Sequence, residues 1–257
     1  MRRFLIALSF FTRFSIKVDD VQEKEFYESM ILMPLIGVII GGLLALAAWI
    51  LSMIHNSQVS AIVLILIYIA ITGGLHFDGV ADTTDAIFSA RDHKRMMEIM
   101  KDSRLGSFGA MGLILLFFTL WTGYSTLISQ GNSGILGILL LPVVGRYCAI
   151  QSCCFTSYAE GGGGLGRRII EMSKPWHVSI YFFAVLVYAW VLNQWILVIA
   201  ILVTMIANFI LMFYLQKRIG GFTGDTIGLT IEVNQAFFAV VLSILIQNWS
   251  CITGCLS

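Results

Sequence analysis

The stretch that decides how this chain is built is residues 73–109, GGLHFDGVADTTDAIFSARDHKRMMEIMKDSRLGSFG. It is a long polar segment in a chain that is otherwise mostly apolar. Three carboxylates open it, Asp78, Asp82 and Asp85, at the spacing i, i+4 and i+7, which places them on one face of a helix. Because neighbouring like charges destabilise a helix, the pattern indicates either a solvated acidic face or a bound divalent cation.

The composition places this segment beside a lipid bilayer. The 257 residues are 58% hydrophobic and 12% charged, with a mean hydropathy of +0.88, whereas soluble domains carry about 25% charged residues. We therefore predict an all-α, polytopic integral membrane protein that forms a single catalytic domain over residues 1–257. No basic tract indicates nucleic-acid binding. Ionised groups that follow an apolar run are costly and usually functional, which favours a site over a solvated face.

About 20 apolar residues cross a bilayer, and seven segments approach that length. They are residues 30–54, 57–77, 109–129, 134–156, 178–195, 196–215 and 233–249. The first residues, MRRFLIALSFFTRFS (1–15), predict an interfacial helix that stays in the mature protein. The Gly- and Thr-rich stretch 220–232 predicts either a loop or a re-entrant segment.

Charge placement gives the orientation. With the N-terminus in the cytoplasm, the outer connections at residues 55–57, 130–133 and 193–194 carry no Asp, Glu, Lys or Arg. Every Lys and Arg except Arg146 then falls on the inner side, as the positive-inside rule requires. We therefore expect a multi-pass protein of the cell (inner) membrane, with its N-terminus and its active site on the cytoplasmic side.

Residues 100–110, MKDSRLGSFGA, form a second polar stretch on that side. Asp102 and Arg104 precede Gly106 and Gly109 at the start of the third apolar segment. Glycines permit close backbone approach, and a helix N-terminus attracts phosphate. A helix-start turn capped by Asp102 would explain the same residues, so both interpretations stay open.

Two further features complete the polar set. Arg146 lies inside the fourth apolar segment, where an arginine suits an anionic ligand or a structural carboxylate partner. RIGGFTGDTIG (218–228) places Asp225 in a glycine-rich backbone, which fits metal-phosphate binding or a simple turn. Carboxylates for a metal, arginines for phosphate and glycines between them favour phosphoryl transfer at the membrane surface.

Three of these stretches resemble the signature motifs of one family. GGLHFDGVADTTDA (73–86), MKDSRLGSFG (100–109) and GGFTGDTIG (220–228) are similar to those of cobalamin synthase, the adenosylcobinamide-GDP ribazoletransferase family. The resemblance runs from about residue 4 to residue 235. The chain departs from the family in FSIKVDD (14–20), where a proline-rich piece is usual, and in a longer glycine run at 161–164. Neither departure touches the carboxylates.

The resemblance implies a Mg²⁺-dependent membrane enzyme. It would transfer the phosphocobinamide group of adenosylcobinamide-GDP to α-ribazole or its 5′-phosphate and release GMP, in the last stage of cobalamin biosynthesis. Asp82 would also accept the hydroxyl proton. The implied metal ligands are Asp78, Asp82, Asp85 and Asp225. The implied catalytic residues are Asp82, Asp85, Asp102, Arg104 and Arg146. The expected substrate-binding residues are His76, Lys101, Gly106, Gly221 and Gly224.

The bilayer is an expected partner, together with other cobalamin-assembly enzymes at the membrane, and a homo-oligomer is an alternative to a monomer. Two other functions would use similar residues. A CDP-alcohol phosphotransferase also clusters aspartates at the membrane edge, but its Asp-Gly, Ala-Arg spacing is not met after Asp78-Gly79. A divalent-cation transporter predicts acids deep in several spans, whereas the clearly buried ionisable group is the cationic Arg146.

Overall fold

The computed structural model describes residues 1–159, 165–191 and 194–254. Within those residues the chain is helical, and its one strand-like pairing is an isolated bridge between Tyr158 and Phe222. The predicted all-α fold class is confirmed. The helices are α1 Arg2–Phe11, α2 Glu23–Met30, α3 Met33–Leu51, α4 Ser57–Thr72, α5 Phe77–Phe88, α6 His93–Ile99, α7 Ser107–Ser129, α8 Asn132–Phe155, α9 Leu165–Met172, α10 Pro175–Val191, α11 Trp195–Ile219 and α12 Gly224–Gly254.

In the described part of the chain, five helices are long and apolar enough to cross a bilayer: α3 with the turn after it, α7, α8, α11 and α12 as far as Trp249. Helices α4 and α5 meet the same criterion only as a pair, which is bent by 98°. Helix α10 is apolar but shorter. Each of the seven predicted segments overlaps one of these helices, so the polytopic prediction is confirmed, although α4 and α10 are each shorter than a full span.

A sharp turn between α4 and α5 places the acidic segment. Gly73 ends α4 with φ 69°, and Gly74 follows with φ 67°, a conformation that residues with a Cβ atom rarely adopt. The Gly73 amide closes α4 by donating to the carbonyl oxygen of Ile69 at 2.7 Å. Helix α5 then starts at Phe77 and runs across the direction of α4, so its carboxylates lie on a separate helix.

Helix α8 is at the centre of the molecule. Of the residues in its most apolar stretch, 78% are buried inside the protein, compared with 33% for α3 and 61% for α12. Both of those helices pack on α8. A Cβ atom at Gly41 of α3 would lie 1.9 Å from the carbonyl oxygen of Leu139. Small residues let helix backbones approach closely where lipid gives no hydrophobic drive, so this contact fixes α3 against α8.

Helix α12 corrects the prediction for residues 220–232. It begins at Gly224 and continues without a break, so only residues 220–223 form a turn, and a loop or re-entrant segment from 224 onward is wrong. The cause is a reciprocal cap. The Thr223 amide donates to Thr226 Oγ1 at 2.7 Å, and the Thr226 amide donates to Thr223 Oγ1 at 3.3 Å. This pattern starts a helix in the manner of a capping box.

The N-terminal helix α1 packs on α2. Arg2 pairs with Glu25 at 3.0 Å, Arg3 pairs with Glu28, and Phe11 is buried in the core. The helix predicted for the first residues is therefore present. Its position at the membrane surface stays a prediction.

Candidate active site

The N-terminal ends of α5 and α12 lie side by side and border a cavity of about 160 Å³. Asp78 and Gly79 come from α5, His76 precedes that helix, and Gly224 and Asp225 begin α12. A Cβ atom at Gly79 would lie 2.5 Å from the carbonyl oxygen of Asp225. The rest of the wall is mainly apolar and comes from α1, α3, α9 and α12. Two motifs that are far apart in the sequence therefore meet at one cavity.

Three carboxylates gather at this place. Asp78 is exposed, while Asp82 and Asp225 are half-buried. Asp82 lies within electrostatic range of Asp225, Asp78 and Asp85, and Asp225 within that of Asp78. Like charges held together in a partly desolvated place repel one another. A divalent cation would relieve that repulsion, because carboxylate oxygens are its preferred ligands.

The donor set fits a cation that is shared with a phosphate ligand. Within the described ranges, no three His, Cys, Asp or Glu side chains stand close enough to hold a metal ion. The four predicted ligands therefore do not form one closed group in this structure. Mg²⁺ commonly binds through one or two carboxylates and takes its other ligands from phosphates and water. The arrangement is compatible with that mode, and the metal itself stays a prediction.

Asp85 is turned away from the cavity and towards α7. Its Oδ2 accepts the Gly106 amide at 2.7 Å, and its Oδ1 accepts the Gly109 amide at 2.8 Å. Gly106 is the N-cap residue of α7 and Gly109 lies in its first turn, where backbone donors lack partners within the helix. The buried Asp85 carboxylate thus ties α5 to α7. Gly106, predicted to bind substrate, donates its amide to this contact. The predicted metal-ligand role of Asp85 stays a prediction.

Asp102 and Arg104 lie in an open groove of about 880 Å³, which Asp85 and Gly106 also line. Arg104 Nη2 donates to Asp102 Oδ2 at 2.6 Å. This hydrogen bond lowers the pKa of Asp102 to about 2. Lys101, the residue before this pair, is exposed. The groove therefore holds the second predicted motif, next to Asp85 and separate from the cavity between α5 and α12.

Arg146 is 0% exposed in α8 and is not among the residues that line the cavity. Its Nη1 donates to the Pro142 carbonyl oxygen at 3.2 Å, while Nε and Nη2 have no hydrogen-bond partner among the residues that the structure describes. The structure gives this arginine no direct access to a phosphate in the cavity, so its predicted contact with the leaving phosphate stays a prediction.

The predicted glycines of the third motif have different surroundings. Gly224 is exposed at the cavity. Gly221 is buried beside the Tyr158–Phe222 bridge, and a Cβ atom there would lie 2.4 Å from the Ala159 amide nitrogen. Gly221 therefore allows two backbone segments to approach. The glycine run at 161–164 lies outside the described residues.

Glu232 is a site feature to which sequence reasoning assigned no role. It is 1% exposed in α12, and its Oε1 accepts the Tyr68 hydroxyl at 2.6 Å. The same oxygen lies 3.5 Å from Nδ1 of His76, which lines the cavity. An acid inside an apolar run, as in LTIEVNQAFF (229–238), is the signal that identifies it.

The predicted site residues thus fall into three places. His76, Asp78, Gly224 and Asp225 line the cavity, with Asp82 within electrostatic range. The groove next to Asp85 is lined by Asp85, Asp102, Arg104 and Gly106, with Lys101 next to them in the chain. Arg146 and Gly221 are buried, and they line neither the cavity nor the groove.

Comparison with known proteins identifies the family to which the chain is similar. A sequence model of cobalamin-5-phosphate synthase matches residues 3–243. Curated relatives called adenosylcobinamide-GDP ribazoletransferase include one from Alkaliphilus oremlandii, 37% identical with 93% of this chain and 95% of the relative covered. Another is from Acetivibrio thermocellus, at 36% identity with 94% and 97% covered. A third, from Clostridium novyi, is 34% identical with 94% and 96% covered. No solved structure matches the chain.

Proposed function

The chain belongs to the cobalamin-5-phosphate synthase family, and we propose that it transfers the phosphocobinamide group of adenosylcobinamide-GDP to α-ribazole or α-ribazole 5′-phosphate. A ribazole hydroxyl oxygen forms the new bond to phosphorus, and the bond from that phosphorus to the GMP oxygen breaks. GMP leaves, and adenosylcobalamin or its 5′-phosphate is formed. The family match over residues 3–243 carries this proposal.

The meeting of two motifs at one cavity supports the reaction. Asp78 and Asp225 lie on different helices that Gly79 allows into close contact. Phosphoryl transfer depends on positioning and charge neutralisation more than on a covalent nucleophile. A cavity with carboxylates on one side and apolar walls on the other meets both needs, since it can hold a metal-bound diphosphate and exclude bulk water.

We propose Mg²⁺ as the cofactor, and one or two of the carboxylates of Asp78, Asp82 and Asp225 would hold it together with phosphate oxygens of the substrate. When bound, it neutralises the charge of the diphosphate and of the leaving phosphate. The predicted second role of Asp82, as acceptor of the hydroxyl proton, stays open because His76 lines the same cavity. Asp85 contributes by holding the start of α7 against α5.

We assign the groove next to Asp85 to the GMP part of the substrate. Arg104 offers a cationic donor there, and Asp102 orients the guanidinium of Arg104 through a hydrogen bond. Arginine suits phosphate because its donors form a planar fork. Arg146 lies in the protein interior, and its predicted contact with the leaving phosphate stays a prediction.

We place this site at the cytoplasmic face of the cell (inner) membrane, with the N-terminus inside. The charge asymmetry supports that placement: the connections at 55–57, 130–133 and 193–194 carry no Asp, Glu, Lys or Arg, in line with the positive-inside rule. Other cobalamin-assembly enzymes as partners, and a homo-oligomer, stay predictions.

The test of the function is product formation by the purified protein in liposomes. Adenosylcobinamide-GDP is supplied with α-ribazole or with α-ribazole 5′-phosphate, with Mg²⁺ or with a chelator, and GMP and corrinoid products are measured by chromatography. We expect equal amounts of GMP and of the new cobalamin species, both abolished by the chelator. A folded, metal-loaded protein that forms neither product would contradict the function. Comparing the two acceptors then shows which form of ribazole is used.

A further inference from the structure

A second groove, of about 630 Å³, lies between the N-terminal helices and α10. One wall comes from α1, α2 and the residues that join α2 to α3, and the other comes from the end of α9 and the first two turns of α10. The groove shares no lining residue with the active-site cavity among the described residues. Its volume is within the range of about 300–1,000 Å³ that small-molecule sites have.

The groove has an excess of positive charge. Its two carboxylates, Glu28 and Glu171, are already paired with arginines. Those partners are Arg3, Arg167 and Arg168. Lys174 lines the groove as well, and it takes part in none of the ion pairs of the described residues. The lining and its ion-pair partners therefore carry four cations against two carboxylates, which favours an anionic ligand.

The backbone of Lys174 is fixed at the edge of the groove. Its amide donates to Nδ1 of His177 at 2.9 Å, and its carbonyl oxygen accepts the His177 amide at 2.9 Å. His177 is buried, and its ring centroid lies 3.9 Å from that of Trp176. These contacts start α10. The cation of Lys174 thus stands at the N-terminal end of an apolar helix, where the helix dipole also attracts negative charge.

The groove continues into an apolar face of α10. Trp176 and Ile180 line the groove, and each is about half exposed, at 54% and 53%. Further exposed apolar side chains follow at the spacing of one helix face: Phe183, Val187 and Trp190. In a chain that crosses a bilayer, an exposed apolar face of this kind contacts lipid chains. Tryptophan at the start of such a face is typical of the membrane–water boundary.

We propose that this groove binds an anionic phospholipid, with its phosphate beside Lys174 and an acyl chain along Ile180 and Phe183. From Lys174 to Ile180 the helix rises by about 9 Å. The headgroup region of one leaflet is about 5–8 Å thick, so this step leads from the headgroup level into the hydrocarbon. The inference goes beyond the transferase function and does not depend on it.

Charge and shape together select the lipid. Phosphatidylcholine carries a quaternary ammonium group, which the excess of cations repels, whereas phosphatidylglycerol carries a net negative charge. Basic pockets between transmembrane helices bind anionic headgroups for this reason. A free phosphate ion would meet the charge of Lys174 but would leave the apolar side chains of the groove uncovered. The ligand that satisfies both parts of the groove has an anionic head and an apolar chain.

The test is the quenching of Trp176 fluorescence by brominated lipid. The full chain is placed in phosphatidylcholine vesicles that contain a fixed minor fraction of phosphatidylglycerol, and bromine atoms are carried by the acyl chains of one of the two lipids. The difference between a protein and its Trp176→Phe variant gives the signal of Trp176 among the six tryptophans. We expect phosphatidylglycerol to quench Trp176 by more than its share of the vesicle, and phosphatidylcholine by less.

Variants of one lysine then locate the site. We expect Lys174→Gln to lower the relative affinity for phosphatidylglycerol about fivefold, the effect of one cation at an anionic lipid surface, and Lys174→Arg to keep it. Lys217→Gln is the matched control, because Lys217 is an exposed cation in the last turn of α11 and does not line the groove. It should leave the quenching of Trp176 unchanged. Equal quenching by the two brominated lipids, or equal losses in Lys174→Gln and Lys217→Gln, would overturn the proposal.

Thermal unfolding in detergent gives an independent measurement. Short-chain phosphatidylglycerol should raise the Tm of wild type by about 2–4 °C, since a ligand that binds only the folded state stabilises it. It should raise the Tm of Lys174→Gln by less. Inorganic phosphate, which has the charge without the chain, should leave the Tm of wild type unchanged. A rise with phosphate as large as that with phosphatidylglycerol would overturn the lipid as the ligand.

Discussion

Gly79 of α5 lies against the backbone of Asp225 at the first turn of α12, and a Cβ atom on Gly79 would come within 2.5 Å of the Asp225 carbonyl oxygen. This contact sets the spacing of the two helices that carry the cavity carboxylates. Since the neighbouring atom is backbone, it cannot be moved by a change of rotamer. The geometry of the site therefore depends on the absence of a side chain at residue 79.

We predict that Gly79→Ala lowers turnover on the order of 10²-fold, because a displacement of about 1 Å at a reacting centre has that effect. Overpacking should also lower the free energy of unfolding by about 1–3 kcal/mol. Turnover and thermal unfolding in detergent measure the two effects. Gly42→Ala on α3 is the matched control, since no atom of the described residues lies within 4 Å of a Cβ atom placed there. Wild-type turnover in Gly79→Ala would show that the helix spacing does not matter.

Asp85→Asn tests the link between α5 and α7. One of the two α7 amides, Gly106 or Gly109, would lose its acceptor and face an NH₂ group. A buried donor without a partner costs about 1–3 kcal/mol, so we expect a lower unfolding temperature together with a loss of turnover. Asp19→Asn makes the same chemical change at an exposed position and should do neither. If Asp85→Asn lost activity with full stability, Asp85 would be a ligand rather than a structural acceptor.

The Asp102–Arg104 pair predicts a pH response. Arg104 holds the pKa of Asp102 at about 2, below its ordinary value of 3.8. The pairing therefore stabilises the folded protein above pH 3.8 and is lost as the pH falls towards 2. Asp102 should add nothing to the pH dependence of turnover near neutrality. In Arg104→Gln, a ¹³C NMR titration should show the pKa of Asp102 rising towards 3.8.

Arg91→Gln is the control for that titration, because Arg91 lies in the same groove and is not a cause of the shift. It should leave the pKa of Asp102 where it is. A low pKa that persists in Arg104→Gln would show that another group holds the carboxylate ionised.

Arg146 and Glu232 are expected to be coupled. Both are almost fully buried, and both act electrostatically on Tyr68. Removing one buried charge leaves the other uncompensated, at a cost of about 3–5 kcal/mol. We predict that Arg146→Met and Glu232→Gln together destabilise the protein by about 0.5–3 kcal/mol less than the sum of the two single changes, as measured by denaturant unfolding in detergent. The effects of Arg146→Met and Ser243→Ala on the free energy of unfolding should be additive. Additive effects of Arg146→Met and Glu232→Gln would show that Arg146 and Glu232 are not coupled.

Much of the fold was predictable from the sequence because apolar runs of span length and the charge-free outer connections are local signals. The start of α12 was not predicted, since glycine and threonine in residues 220–228 read as a turn. The Thr223–Thr226 cap overrides that composition. The 98° bend after α4 was also missed, because a continuous apolar run does not show that Gly73 and Gly74 adopt positive φ.

The carboxylates could be singled out from their spacing, but their partners could not. Asp78, Asp82 and Asp85 look equivalent on a helical wheel. In the structure Asp85 faces the amides of α7, while Asp78 faces the cavity that Asp225 shares. Glu232 and Tyr68 are 164 residues apart in the chain, and nothing local predicts such a pairing. Long-range packing decides which acid meets which helix.

The measurement that tests the central claim most directly is the Mg²⁺ dependence of GMP release by Asp82→Asn and Asp225→Asn, with Asp19→Asn as the matched control. If the α5–α12 cavity is the metal-phosphate site, both cavity variants lose turnover on the order of 10²-fold or need far more Mg²⁺, while their unfolding temperatures stay at or above that of wild type because a repulsive charge is gone. Asp19→Asn behaves as wild type. Normal turnover with a normal Mg²⁺ requirement in both cavity variants would contradict the account and place the chemistry elsewhere.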